Sequence, residues 1–191
     1  MFTKILRVTV LVGVLAGLMS GCLSVEKKVY SFKIKPDGSG EGDIKFVNIV
    51  SMEDNDKDVS FKDFAELVTD YLQGTKFEDD FPAMRVTDKQ LYVENGVLVG
   101  EVKFTFGTAD SIGFFRPGKK DCAPLMYFVK TTSSQETVVE SNGQVVTDVS
   151  DSPFLLWDSG AKECTFTTTL MSDTSGAHNL AAEYNNWKGK K

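Results

Sequence analysis

The chain has 191 residues, of which 41% are hydrophobic and 25% charged, and its formal net charge at pH 7 is −6. This hydrophobic content argues against an intrinsically disordered chain, and the length suits one domain with a sizeable core. Because a negative surface repels phosphate backbones, we expect no nucleic-acid partner.

Residues 1–21 have the pattern of a secretory signal peptide. Lys4 and Arg7 form a positively charged beginning, and a mostly apolar stretch runs from Val8 to Met19. This stretch is shorter than the roughly 20 apolar residues of a membrane-spanning helix. The sequence therefore predicts a cleaved leader, and its removal takes away two cations and makes the mature chain more acidic.

The segment Leu18-Met19-Ser20-Gly21-Cys22 resembles the lipobox of bacterial lipoproteins, although Met19 stands where that family more often has Leu, Val or Ile. The resemblance implies that Cys22 is the first mature residue and carries two or three acyl chains, which hold a protein on a membrane more firmly than one chain does. It also implies a bacterial cell-envelope location. Leu23 after the cysteine favours the outer membrane, with the domain in the periplasm or at the cell surface. The alternative is an ordinary signal peptide followed by a coincidental cysteine.

Residues 22–27 are predicted to be the lipidated cysteine and a short tether, followed by a single domain over residues 28–191. From Tyr30 onward, apolar and polar side chains alternate as in a half-buried strand. The turn sequence PDGSGEGD separates this strand from an extended segment over Ile44 to Val50, which predicts a hairpin. The signal peptide, the first strand and the DGSG turn together resemble LppM-like bacterial lipoproteins.

The acidic segment EDNDKDVSFKDF places Asp54, Asp56 and Asp58 at alternate positions. With this spacing a loop can direct carboxylates at one calcium ion. An EF-hand loop beginning at Asp54 is incomplete, since Val59 stands where glycine is needed and Ala65 where the bidentate glutamate is needed. A solvated acidic loop before a helix is therefore the favoured interpretation, with calcium as the alternative.

Apolar residues at helical spacing predict an amphipathic helix over residues 60–73. Ser60 is its expected N-cap, and Gly74 its expected end. The predicted buried face consists of Phe61, Phe64, Leu67, Val68, Tyr71 and Leu72. The predicted opposite face consists of Lys62, Asp63, Glu66 and Asp70.

The rest of the chain predicts strands almost throughout. Asn95-Gly96 and Asn142-Gly143 each predict a tight hairpin turn between two strands. The predicted strands are 91–94, 97–106, 125–130, 138–139, 145–146, 154–157 and 164–171, and a short helix anchored by Leu180, Tyr184 and Trp187 follows. This pattern predicts an α+β fold, with a mostly antiparallel sheet or sandwich, one amphipathic helix packed on it and a short C-terminal helix.

Two cysteines remain once Cys22 is acylated. Cys122 and Cys164 form an even pair in an oxidising compartment, so we expect a disulfide between them. Closing this loop would stabilise the fold by about 4 kcal/mol. A zinc site is the alternative, but these two thiols and His178 would need carboxylates to complete it.

The segment GFFRPGKKDC, residues 113–122, combines aromatic and basic side chains, which suits contact with a partner or with anionic headgroups. The candidate contact residues are Phe114, Phe115, Arg116, Lys119 and Lys120. In the alternative interpretation, the phenylalanines enter the core and Pro117-Gly118 makes an ordinary turn.

No motif predicts an enzyme or a cofactor. His178 is the only histidine, and the chain has no G-x-S-x-G segment, phosphate-binding loop or dinucleotide fingerprint. We therefore expect a non-enzymatic envelope lipoprotein, attached to the membrane through Cys22, that binds another envelope component, protein or lipid, or has a structural role. The first alternative is a carrier of a lipid or other hydrophobic ligand. The second is an envelope hydrolase that uses paired carboxylates, such as those of FEDDF at 77–81.

Overall fold

The computed structural model describes residues 23–117, 123–129, 136–146, 154–171 and 175–189. The first two strands, β1 (Leu23–Ile34) and β2 (Gly40–Met52), form a long antiparallel hairpin. The Asp37 carboxylate stabilises its turn by accepting hydrogen bonds from the backbone N–H and the hydroxyl of Ser39. The predicted hairpin is thus confirmed.

The predicted tether is wrong, because β1 begins at Leu23. Leu23 pairs with Ser51 and Val25 pairs with Ile49, and both β1 side chains are buried. The described domain therefore begins directly after position 22, without a tether of several residues between them. The break in alternation between Val25 and Tyr30 hid this part of the strand from the sequence pattern.

In chain order, the remaining strands within the described residues are β3 (Arg85–Glu94), β4 (Val97–Phe106), β5 (Phe114–Phe115), β6 (Leu125–Phe128), β7 (Thr137–Ser141), β8 (Gln144–Val146), β9 (Phe154–Trp157), β10 (Glu163–Thr169) and β11 (Ala177–Asn179). The larger sheet has the order β3-β4-β2-β1-β10-β7, and β11 pairs with the end of β2. The smaller sheet has the order β5-β6-β9-β8. Because these pairs are antiparallel and the helices are few, the predicted α+β fold is confirmed.

The two Asn-Gly pairs have different roles. Asn95 and Gly96 both have positive φ, of 51° and 80°, and join β3 to β4 in the predicted tight hairpin. The hairpin predicted at Asn142-Gly143 is wrong, because β7 lies in the larger sheet and β8 in the smaller one. The Asn142 side-chain oxygen instead accepts hydrogen bonds from the Trp157 indole N–H at 2.6 Å and the Thr165 backbone N–H at 2.9 Å. Asn142 thus ties the two sheets together at the point where the chain crosses between them.

The helical segment begins with α1 (Ser60–Glu66), continues as a π-helical turn (Leu67–Leu72) and ends with α2 (Lys76–Asp80). A 3₁₀ turn spans Ala109–Ile112, and α3 (Ala181–Lys188) follows β11. The predicted helix over 60–73 therefore exists, although its second half is wound as a π-helix. The predicted cap is wrong, because Ser60 is the first helical residue and Val59 occupies the N-cap position without a side-chain hydrogen bond. The Asp58 carboxylate accepts a hydrogen bond from the Ser60 backbone N–H at 2.8 Å.

One apolar core lies on the inner face of the larger sheet. Near the start of β1, the helical segment covers this face, and the Phe77 and Phe46 rings meet edge to face at 6.4 Å. Near the end of β1, the smaller sheet covers it, and the centroids of the Phe32 and Phe114 rings are 5.0 Å apart. The outer face of the larger sheet is polar, with Asp43, Lys45, Glu101 and Lys103 on neighbouring strands.

The alternation of inward- and outward-facing residues along β1 and β2 shifts by one position at Glu26 and Asn48. Asn48 has a φ of 58°, and its side-chain amide donates to the Glu26 carboxylate at 2.8 Å. On β1, the buried positions change from 23 and 25 to 28, 30 and 32 across this point. The change brings Leu23 and Val25 into the same core as Phe32, and it turns Lys28 inward.

Candidate functional site

The predicted acylation site, Cys22, lies outside the described residues, together with the predicted signal peptide. What the structure describes is the next residue, Leu23, which is only 4% exposed. No helix in the described part of the chain is long and apolar enough to cross a membrane.

The Cys164 thiol is buried on the apolar side of β10. Burial raises the pKa of this thiol to about 12, despite the opposing effect of the Arg116 charge. Cys164 forms no disulfide with another described residue, and Cys122 lies outside the described residues. The disulfide between Cys122 and Cys164 therefore stays a prediction.

The basic and aromatic segment at 113–122 is divided between the core and the surface. Phe114 is 1% exposed, so its prediction as a contact residue is wrong, because its ring fills the space beside Phe32. Phe115 points to the other side of β5 and is half-buried. The Arg116 guanidinium donates to the backbone oxygens of Ala123, at 2.7 Å, and Ser159, at 3.0 Å. Lys119 and Lys120 lie outside the described residues.

The smaller sheet is apolar on both of its sides. Its inner side carries Phe114, Leu125, Tyr127, Leu155 and Trp157, which are buried in the core. Its outer side carries the polar Gln144 on the edge strand β8 and otherwise apolar side chains, of which Phe128 is exposed and the others are half-buried. We call these apolar residues the aromatic face: Phe115, Met126, Phe128, Val146, Phe154 and Leu156. Because the outer side of a two-layer sandwich is normally polar, a mostly apolar outer side is a candidate contact surface.

The side chains of the aromatic face pack against one another in two rows across the strands. Phe115, Met126 and Leu156 are register partners in one row, and Phe128 is paired with Phe154 in the next. The Phe115 and Phe128 rings stack at 5.3 Å with an interplanar angle of 8°, and Phe128 is 46% exposed. These contacts form one continuous apolar surface rather than scattered single residues.

The aromatic face lies far from the start of the domain. The inner side of its sheet packs on Phe32, which is nine residues after Leu23 along β1. At about 3.3 Å per residue, this separation is roughly 30 Å. The aromatic face is therefore at the end of the larger sheet opposite to Leu23.

The geometry of the loop gives no support to the calcium alternative for Asp54, Asp56 and Asp58. The Asp58 carboxylate is engaged at the start of α1, and the loop folds on itself through backbone hydrogen bonds between Asp54 and Lys57. All three aspartates are exposed. Among the described residues, no group of three or more His, Cys, Asp or Glu side chains could hold a metal ion.

A buried polar cluster, which the sequence analysis missed, joins three strands of the larger sheet. The Glu136 carboxylate accepts hydrogen bonds from the hydroxyls of Tyr30, at 3.0 Å, and Thr168, and the Lys28 ammonium lies 3.5 Å from it. Burial, followed by the Glu136 charge, raises the pKa of Tyr30 well above its ordinary value. The same causes raise the pKa of Tyr127. These phenols therefore remain protonated and serve as hydrogen-bond donors or core side chains.

A pair of carboxyl groups lies on the polar outer face of the larger sheet. Burial, followed by a hydrogen bond and charge repulsion from Glu101, raises the pKa of Asp43 to about 6. Burial also opposes ionisation of Glu101, but hydrogen bonds from Lys103, Asp43 and Tyr92 outweigh it and lower its pKa. Because the two groups contact each other directly, they lack the separation of about 5 Å or more that glycoside hydrolysis needs between its two carboxyl groups.

The other residues considered for catalysis have structural surroundings. In the FEDDF segment, Phe77 is buried, and Glu78 is 3.0 Å from the Lys89 ammonium. His178 lies on β11, with its Nε2 atom 3.3 Å from Glu53 and its Nδ1 atom 3.8 Å from Asp58. The FEDDF carboxylates and His178 therefore belong to different parts of the fold.

A small apolar groove lies between the helical segment and the larger sheet, with an enclosed volume of about 60 Å³. Its walls include Leu23, Val25, Ile49, Tyr71, Leu91 and Gly100. Gly100 on β4 lies between its register partners Leu91 and Phe46. A Cβ atom at this position would lie 3.0 Å from Ile49 Cδ1 and 3.4 Å from Leu91 Cδ2. The glycine thus allows the Ile49 and Leu91 side chains of the groove wall to pack closely against β4.

No protein-family model, curated protein or solved structure matches this chain.

Proposed function

We propose that this chain is a non-enzymatic lipoprotein of the bacterial cell envelope that is anchored through Cys22 and binds another envelope component through the aromatic face. The observation that carries the proposal is a sheet with apolar side chains on both sides, of which one side packs into the core formed by the described residues. Burying the second side on a partner would remove this apolar surface from water, and the gain is about 25 cal/mol for each Å² buried.

The position of the aromatic face supports a protein partner rather than the anchoring membrane. Because Leu23 is already in β1, an acyl chain on Cys22 would hold the start of that strand at the bilayer surface. The aromatic face is at the opposite end of the larger sheet. A component located away from the anchoring leaflet could then reach it.

The two alternative functions have weaker support. A lipid carrier needs a mostly apolar cavity of roughly 300–1,000 Å³ to enclose most of its ligand. The apolar groove has a volume of about 60 Å³, and a larger depression of about 380 Å³ beside Asp43 is open and lined mainly by polar and charged residues. A hydrolase needs two carboxyl groups that converge on a substrate, whereas Asp43 and Glu101 contact each other on an outer sheet face.

Photo-crosslinking in living cells tests the proposal. A photoreactive amino acid replaces Phe128, and the matched control replaces Val139, which is also exposed and apolar but lies on β7 in the larger sheet. We expect a protein adduct of one discrete mass from position 128, reduced by the additional substitution Phe154→Ser, and none from position 139. Adducts only to lipids would make the aromatic face a membrane contact, and the absence of adducts from position 128 would count against both interpretations.

A further inference from the structure

We propose that the apolar groove holds a segment of one of the acyl chains carried by Cys22. The inference rests on the acylation of Cys22 in the proposed function, but it is independent of the aromatic face. Three groove-lining residues, Leu23, Ser24 and Val25, directly follow Cys22 in the chain. The residue that would carry the lipid is therefore the direct chain neighbour of a groove-lining residue.

The walls of the groove have the chemistry that an alkyl chain requires. The helical segment contributes Leu67, Leu72 and Phe77, and the larger sheet contributes Ile49 and Val102. The cation at its edge, Lys89, donates to the backbone oxygen of Gly74 at 2.6 Å and to Glu78 at 3.0 Å. Because this ammonium group is already bound within the domain, the groove offers a ligand apolar contacts and not a headgroup site.

The size of the groove matches a segment of a chain and not a whole lipid. The groove has a volume of about 60 Å³, far below the roughly 300–1,000 Å³ of a site that encloses most of a drug-sized ligand. A short run of methylenes fits this space, and the remainder of the chain leaves through the open side. An attached chain also competes well against free lipids, because a short connection gives an effective concentration in the millimolar range.

Metabolic incorporation of a fatty acid with a photoreactive diazirine group in its chain tests the inference on the full acylated protein. The protein is purified in detergent and irradiated, and the adducts are mapped by mass spectrometry. We expect adducts within residues 67–72 or 89–91, on the walls of the groove. We expect the substitution Gly100→Leu, which crowds the Ile49 and Leu91 side chains of the groove wall, to abolish them.

Gly107→Leu is the matched control, because a side chain at Gly107, just after β4, meets open space and should leave the adducts unchanged. If Gly100→Leu fails to fold, Leu91→Glu serves as a second variant, because Leu91 is half-buried on the edge strand β3 and a carboxylate there disfavours an alkyl chain.

Labelled protein with adducts only to detergent or lipid would overturn the inference and leave the anchor intact. Protein without any label would overturn both the inference and the acylation of Cys22. Adducts that persist in a folded Gly100→Leu or Leu91→Glu variant would overturn the inference and leave the acylation of Cys22 intact.

Discussion

Phe61 and Phe64 are three residues apart in α1, but only Phe64 is buried. Phe61 is 82% exposed, which makes its prediction as a core residue wrong. Asp63, predicted for the solvent face, is instead 1% exposed and accepts a hydrogen bond from the Ser51 hydroxyl at 2.6 Å. Because this bond turns Asp63 toward the sheet, the first turn of the helix is rotated, and Phe61 points into solvent.

We expect Phe64→Ala to lower the free energy of unfolding by about 3–5 kcal/mol, because it leaves a cavity beneath the helix. The matched variant Phe61→Ala should change it by less than about 0.5 kcal/mol, since it removes an exposed side chain. Urea unfolding of both variants measures the difference. Similar losses for the two would mean that Phe61 is packed after all.

The pKa of Asp43 predicts a pH dependence of stability. This pKa is raised from 3.8 to about 6 in the folded state, so between these values the folded state binds more protons than the unfolded state. The contribution of Asp43 to stability is therefore greatest at low pH and is lost as the pH rises through about 6. Denaturant titrations from pH 4 to pH 7 should show stability falling more steeply in the parent than in Asp43→Asn. Parallel curves would contradict the raised pKa.

At the scale of the strands, the buried cluster around Glu136 joins β1, β10 and the start of β7. We expect Glu136→Gln to lower the free energy of unfolding by about 3 kcal/mol, because it leaves the Lys28 ammonium buried without a counter-charge. The double variant Glu136→Gln, Lys28→Met should recover part of this loss. If the second substitution only adds to the loss, the ion pair is not what stabilises the cluster.

Sequence patterns predicted the strands where one regular alternation runs through them. Tyr30 and Phe32 on β1 and Cys164 and Phe166 on β10 are buried as their spacing indicated. The start of β1 was missed because its alternation depends on the positive φ of Asn48, a residue on the neighbouring strand. A pairing partner that is distant in the sequence cannot be identified from the spacing within one strand.

The candidate site was only partly predictable for a similar reason. The two phenylalanines of GFFRPGKKDC indicated an apolar surface, but alternation alone does not say which of Phe114 and Phe115 points outward. The other residues of the aromatic face come from β6, β8 and β9, which the chain brings together only by crossing between sheets at Asn142. The aromatic face is thus a product of topology.

At the scale of the whole molecule, the two ends of the larger sheet carry different surfaces. At the end where β1 begins are Leu23, the apolar groove and α1 with the exposed Phe61. At the other end is the aromatic face on the smaller sheet. A domain anchored at the first end and bound to a partner at the second would connect a membrane to another envelope component, and this is the central claim of the proposed function.

Fluorescence quenching on vesicles measures the orientation that this claim requires. The acylated protein is reconstituted with a small fluorophore at position 61 or at position 128, and lipids with a quencher on the headgroup are added. We predict strong quenching at position 61, near the anchored end, and none at position 128, because about 30 Å of β1 separates the two ends. Quenching at position 128 that equals or exceeds quenching at position 61 would contradict the account, since the aromatic face would then lie on the anchoring membrane.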